Sequence, residues 1–160
     1  MKRGTTLFLR MAVILIGLPV LALCIFGLPM LAKDAAESNS EFAYALYGIV
    51  IVMYISAIPF FVALYQAFKL LSYIDKNQAF SELSVKALKN IKFCAITISG
   101  LYVVGMPFIY IFAELDDAPG VILIGMAFIF APMVIAVFAA VLQRLLQQAI
   151  TIKSENDLTV

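Results

Sequence analysis

Three lysines stand three residues apart in the segment SELSVKALKNIKF (residues 81–93): Lys86, Lys89 and Lys92. Phe80 and Leu83 come just before them, and Glu82 lies four residues ahead of Lys86. Ammonium groups at this spacing do recognition chemistry, holding phosphates or carboxylates as point charges. Bond-breaking chemistry lacks its usual groups. There is no histidine, hence none of the commonest acid–base groups and metal ligands. Cys24 and Cys94 fall in different apolar runs, at depths about 20 Å apart by helical rise, too far for a disulfide. Two separated thiols without histidine do not make a zinc site either. No catalytic, cofactor-binding or metal-binding residue is expected, and the chain reads as non-enzymatic.

The elements that must position these lysines are set by composition. Apolar residues make up 64 % of the chain and charged residues 13 %, with a mean hydropathy of +1.06. A soluble domain of 160 residues could not bury that much apolar surface in one core. Four charge-free runs, at about 11–32, 42–65, 93–113 and 118–142, each reach across a hydrocarbon core of roughly 30 Å as helices. Lipid offers the backbone no partners, so helix is the only spanning form available. The predicted fold is all-α: a single four-helix transmembrane domain over residues 1–160. The first run is longer than a signal-peptide core and lacks a small-x-small cleavage site, so a retained helix is expected.

Charge orients the bundle. Lys2, Arg3, Arg10, Lys69, Lys76, Lys86, Lys89, Lys92, Arg144 and Lys153 fall on one side, ten of the eleven basic residues. Asp34, Glu37, Glu41, Glu114, Asp116 and Asp117 fall on the other. The positive-inside rule puts both termini, the 66–92 loop and the 143–160 tail in the cytoplasm, here of a bacterial inner membrane. Asp116 and Asp117 are expected to favour the N-terminus of the fourth helix beside Pro119.

Within the loop, the apolar positions 80, 83, 87, 88 and 91 repeat at helical spacing. They predict an amphipathic cytoplasmic helix of about 12–15 residues, capped by Asn77 or Ser81 and carrying a Glu82–Lys86 pair, that runs into the third span. Such a helix suits an anionic lipid surface or a docked soluble partner. The net charge of +1 gives no field for direct nucleic-acid binding. At depth, Tyr54, Ser56, Thr97, Ser99 and Tyr102 read as partners for helical carbonyls or neighbouring helices. Each span contains proline (Pro19 and Pro29, Pro59, Pro107, Pro132), which membrane helices tolerate where neighbours satisfy the freed carbonyl. Ala63/Ala67, Ala127/Ala131, Ala136/Ala140 and the pair Gly100 and Gly105 allow close backbone approach, in one bundle or in an oligomer.

The stretch IDKNQAFSELSVKALKNIKF and the ending SENDLTV (residues 154–160) resemble the central loop and the tail of a family of bacterial four-helix membrane proteins catalogued as a domain of unknown function. Members are often encoded beside a small helix-turn-helix regulator of the Cro/repressor type. The resemblance implies a membrane protein that binds or sequesters such a regulator at its cytoplasmic face. Phe80, Leu83, Lys86, Lys89, Lys92, Asn156, Asp157 and Leu158 would form the contact. On physical grounds alone the tail reads as frayed. Two other readings are a transport or efflux component, and an immunity protein that meets a peptide at its acidic loops.

Overall fold

The computed structural model describes residues 3–158, apart from the Arg3 side chain; Lys2, Thr159 and Val160 lie outside the described residues. Every apolar run folds as helix. The first span is α1 (Arg3–Ala22), a single π-turn (Leu23–Gly27) and α2 (Leu28–Glu37); then come α3 (Ser40–Asp75), α4 (Glu82–Leu115) and α5 (Gly120–Leu158). There is no strand among the described residues. The four spans are 34, 36, 34 and 39 residues long, or roughly 50–60 Å at helical rise, against a hydrocarbon core of about 30 Å. Each helix therefore continues past its apolar run, chiefly on the side that carries the lysines.

The connections are short because each helix end is stopped by a local device. At the end of α2, the Ser38 hydroxyl donates to the Asp34 carbonyl at 2.6 Å, and Asn39 then caps α3 by accepting the Phe42 N–H at 2.9 Å. α3 and α4 end alike. Asn77 and Asp117 take φ of 60° and 50°, a left-handed conformation that asparagine and aspartate tolerate better than most residues. Gln78 N–H reaches back to Tyr73 carbonyl at 2.7 Å, and Ala118 N–H to Ala113 carbonyl at 2.9 Å. These are Schellman closures. They correct two expectations. Asn77 ends α3 rather than starting α4, and Asp116 and Asp117 end α4 rather than serving α5. Ser81 does occupy the position before α4, but its hydroxyl donates to the Gln78 carbonyl and caps nothing.

The helices pack in series. α1 and α2 lie on α3, α3 on α4, and α4 on α5, with no extensive contact between α1 and α5. In the apolar windows of α3 and α4, 28 % of residues are buried, against 11 % in the first span and α5, so the middle pair is the core. On α4, Ala95, Ser99, Tyr102, Ile109 and Ala113 are buried; on α5, Gly125, Ala136 and Ala139 are. Steps of three and four keep each seam on one side of its helix. Small residues set the closest approaches: a Cβ on Gly105 would stand 3.0 Å from Val52, and one on Gly125 would stand 3.1 Å from the Met106 sulfur. The spacing rule was only partly informative, since Ala127, Ala131 and Gly100 are exposed.

All five polar side chains at depth are bonded. Thr97 donates to its own turn at Phe93 and Ser99 crosses to the Ile129 carbonyl at 2.7 Å. Ser56 donates to the Met53 carbonyl and meets the Tyr102 hydroxyl at 3.0 Å. Tyr102 also stacks on Phe128 with centroids 5.1 Å apart, and so joins α3, α4 and α5 at one point. Tyr54 donates to the Cys24 carbonyl in the π-turn at 2.8 Å.

Candidate functional site

The antiparallel register of α4 and α5 builds the basic end. The Gln147 amide donates to Glu82 at 3.2 Å, which places residue 147 level with the start of α4. Glu82 is thereby engaged across the helix pair, and no Glu82–Lys86 ion pair forms. The amphipathic helix exists as the first turns of α4, continuous with the span. Its buried side is Ser84, Val85, Ala87 and Leu88, rotated from the stripe the spacing predicts. Position 85 packs inward while Phe80 and Leu83 are 57 % and 49 % exposed. The rotation follows from having α3 on one side of α4 and α5 on the other, so that two faces are buried and not one.

Leu83, Lys86 and Lys89 consequently share an outward face with Phe93. Lys92 and Lys89 hold their ammonium groups 4.9 and 6.0 Å from the centre of the Phe93 ring, within cation–π range. Lys69 sits 5.0 Å from the ring of Tyr65 on α3. These pairs lie where the charge-free runs end, and aliphatic stems along apolar surface suit such a level.

The predicted contact surface divides in two. Past residue 148, α5 continues as helix to Leu158 with no neighbouring helix beside it, and residues 151–158 are all exposed, Leu158 at 84 %. The tail is thus helical where fraying was expected. Asn156, Asp157 and Leu158 project roughly 13–17 Å beyond the level of Glu82 by helical rise, while Lys86, Lys89 and Lys92 lie in the opposite direction along the bundle. Leu83, Lys86 and Lys89 share one outward face, Lys92 turns to the α5 side, Phe80 is exposed ahead of α4, and the tail residues form a separate mast.

Two features of this end were not legible from spacing. One is a cleft of about 610 Å³ along α5, lined by Lys92, Ala140, Gln143, Arg144, Gln147, Gln148, Thr151, Ile152 and Glu155. Only the α4–α5 register brings Lys92 and Arg144 to one cleft. The other is the link between α1 and α3. Arg10 pairs with Asp75 at 3.3 Å and donates to the Ser72 hydroxyl at 2.9 Å. Asp75 lies in the last turn of α3, where the helix dipole disfavours a carboxylate, and the guanidinium offsets that.

The acidic end holds a second cleft of about 550 Å³, lined by Ser40, Glu41, Tyr44, Ile111, Glu114 and Leu115. Its Glu114 carboxylate accepts the Tyr110 hydroxyl at 3.1 Å. No three His, Cys, Asp or Glu side chains converge to hold a metal among the described residues, and Cys24 and Cys94 are free thiols.

Four long apolar helices, charged only towards their two ends, define a multi-pass integral membrane protein. The chain belongs to a family described as a protein of unknown function (DUF2975), whose model matches residues 30–160. Across all 160 residues, and over the full length of both chains, it is 64 % identical to "Uncharacterized membrane protein YoaS" of Bacillus subtilis (strain 168). No solved structure matches it.

Proposed function

We propose that this chain is a non-enzymatic regulatory membrane protein of the bacterial inner membrane. Its basic end faces the cytoplasm and docks a small helix-turn-helix DNA-binding regulator. The orientation rests on the grouping of lysines and arginines at one end of the bundle. The observation that carries the docking is the α5 mast. A lone helical segment of about ten residues is marginal in water, and this one keeps Ile152 and Leu158 exposed. Packing against a groove on a soluble protein is the usual way such a segment gains stability. Sequestration follows directly: a regulator held at the bilayer is removed from its operators. The regulator's identity as a helix-turn-helix protein rests on the resemblance of the loop and tail described above.

Co-purification of the tagged chain with a helix-turn-helix regulator encoded beside its gene, where the resemblance places one, tests this reading. Wild type is expected to retain the regulator. Deletion of residues 149–160 is expected to release it, and reversal of Lys86, Lys89 and Lys92 to glutamate identifies whether the lysine patch shares in the contact. A reporter at the C-terminus confirms that each variant keeps its orientation. Retention by the deletion variant at the wild-type level overturns the assignment to the mast.

A further inference from the structure

The cleft along α5 presents two cations, neither in an ion pair among the described residues. The Lys92 ammonium lies over the Phe93 ring. The nearby donors are partly committed. The Gln147 amide goes to Glu82 and the Thr151 hydroxyl to the Gln147 carbonyl. The Gln143 and Gln148 amides line the same cleft and carry no such bond. Guanidinium, ammonium and amide donors around one opening are the set that holds a phosphate group.

The level of the cleft narrows the ligand. Lys92 immediately precedes the charge-free run 93–113, and Arg144 follows the run 118–142 by two residues. By the Glu82–Gln147 register Lys92 and Arg144 attach about 10 Å apart along the bundle, within the joint reach of their two long side chains, close to where a bilayer places its phosphates. Leu142, Leu145 and Phe93 are exposed beside them, offering apolar surface on the side where acyl chains would lie. Glu155 also lines the cleft, and its negative charge disfavours a second anionic group there. We propose that this cleft is a phosphate site for a singly anionic phospholipid, with Lys92 and Arg144 on the phosphate and Gln143 and Gln148 on the headgroup hydroxyls. A soluble phosphoester shares the phosphate chemistry but gains nothing from the apolar flank.

Native mass spectrometry of the full, delipidated chain in a neutral detergent tests this, with phosphatidylglycerol and phosphatidylcholine offered at equal concentration. Phosphatidylglycerol is expected to be retained about tenfold better, the worth of one charge-assisted contact. The double variant K92Q/R144Q is expected to lose that preference, K92R/R144K to keep it, and K153Q, on the mast outside the cleft, to behave as wild type. The single variant R144Q, altered at an exposed side chain, gives the same readout with least risk to the fold. Inorganic phosphate at millimolar concentration separates the sources: retention of the lipid supports a phospholipid site, whereas its displacement overturns the lipid assignment in favour of a soluble phosphoester. Equal retention of the two lipids, or an unchanged preference in both K92Q/R144Q and R144Q, overturns the proposal.

Discussion

The Tyr54 hydroxyl donates to the Cys24 carbonyl across 2.8 Å, and local geometry accounts for the bond. In a regular helix that carbonyl would accept the Leu28 N–H. In the π-turn the Leu28 N–H goes instead to Leu23. The next residue is Pro29, which has no N–H to give. The Cys24 carbonyl is thus left without a backbone donor inside a membrane span, where an unpaired group is costly. Tyr54, across on α3, supplies the missing proton. The bond also ties the irregular first span to the core helix pair.

Replacing Tyr54 by Phe removes that donor alone. A loss of about 0.6 kcal/mol in stability is expected, and no more than about 1.7, the average and the largest value for hydrogen bonds between membrane helices. Pro29→Ala returns a backbone N–H near the same carbonyl, so Tyr54→Phe should cost less in that background. A double-mutant cycle on unfolding in detergent reads the coupling. Additive effects would show that the hydroxyl serves something other than the freed carbonyl.

Gly48 and Gly100 are both helical glycines with opposite prospects. A Cβ on Gly48 would collide with the ring of Phe108, which is also paired with Tyr44 at 5.4 Å between centroids. A Cβ on Gly100 meets nothing within 4 Å. Gly48→Ala is expected to destabilise the α3–α4 pair by about 1–3 kcal/mol, as overpacking does. Gly100→Ala should leave the thermal midpoint in detergent unchanged or slightly raised. Equal behaviour of the two would contradict the close approach of Phe108 to the α3 backbone.

The Arg10–Asp75 pair predicts an asymmetry. Arg10→Gln leaves Asp75 at the unfavourable end of α3 without its cation, whereas Asp75→Asn removes the charge that needed offsetting. Arg10→Gln should therefore be the more damaging of the two, and added salt should narrow the gap. The side chains are 35 % and 24 % exposed, so solvent screening keeps the difference at about 1 kcal/mol or less. Thermal unfolding of both single variants at low and high salt measures it.

Truncation after Gln148 is expected to spare the fold. Beyond that point α5 has no neighbouring helix, and residues 151–158 are exposed. The shortened chain should insert, elute and unfold in detergent as the full chain does. A midpoint lower by more than a few degrees would mean that the mast supports the bundle.

Hydropathy alone specified four helices and the two polar ends, because lipid forces every spanning backbone to satisfy itself and a charge-free run long enough to cross has no other solution. The loop around residues 82–92 was legible as helix for the same local reason, namely apolar residues returning every three or four positions. Its buried face was not, because α4 packs on two neighbours and position 85 turns inward between them. Asn77 shows a similar limit. Its side chain suits a helix start and a left-handed helix end equally, and the path of the chain decides between them.

Tertiary register decided the rest. Lys92 and Arg144 are 52 residues apart in the chain, and nothing in either local sequence pairs them. They share a cleft because α4 and α5 run antiparallel with Glu82 beside Gln147. Arg10 meets Asp75 and Tyr54 meets Cys24 through the equivalent register of the first span on α3. Periodicity and charge are local properties that a single chain displays along its length. The partner of each side chain depends on how helices slide and rotate against one another, and small residues such as Gly48, Gly105 and Gly125 set that only once both surfaces are present.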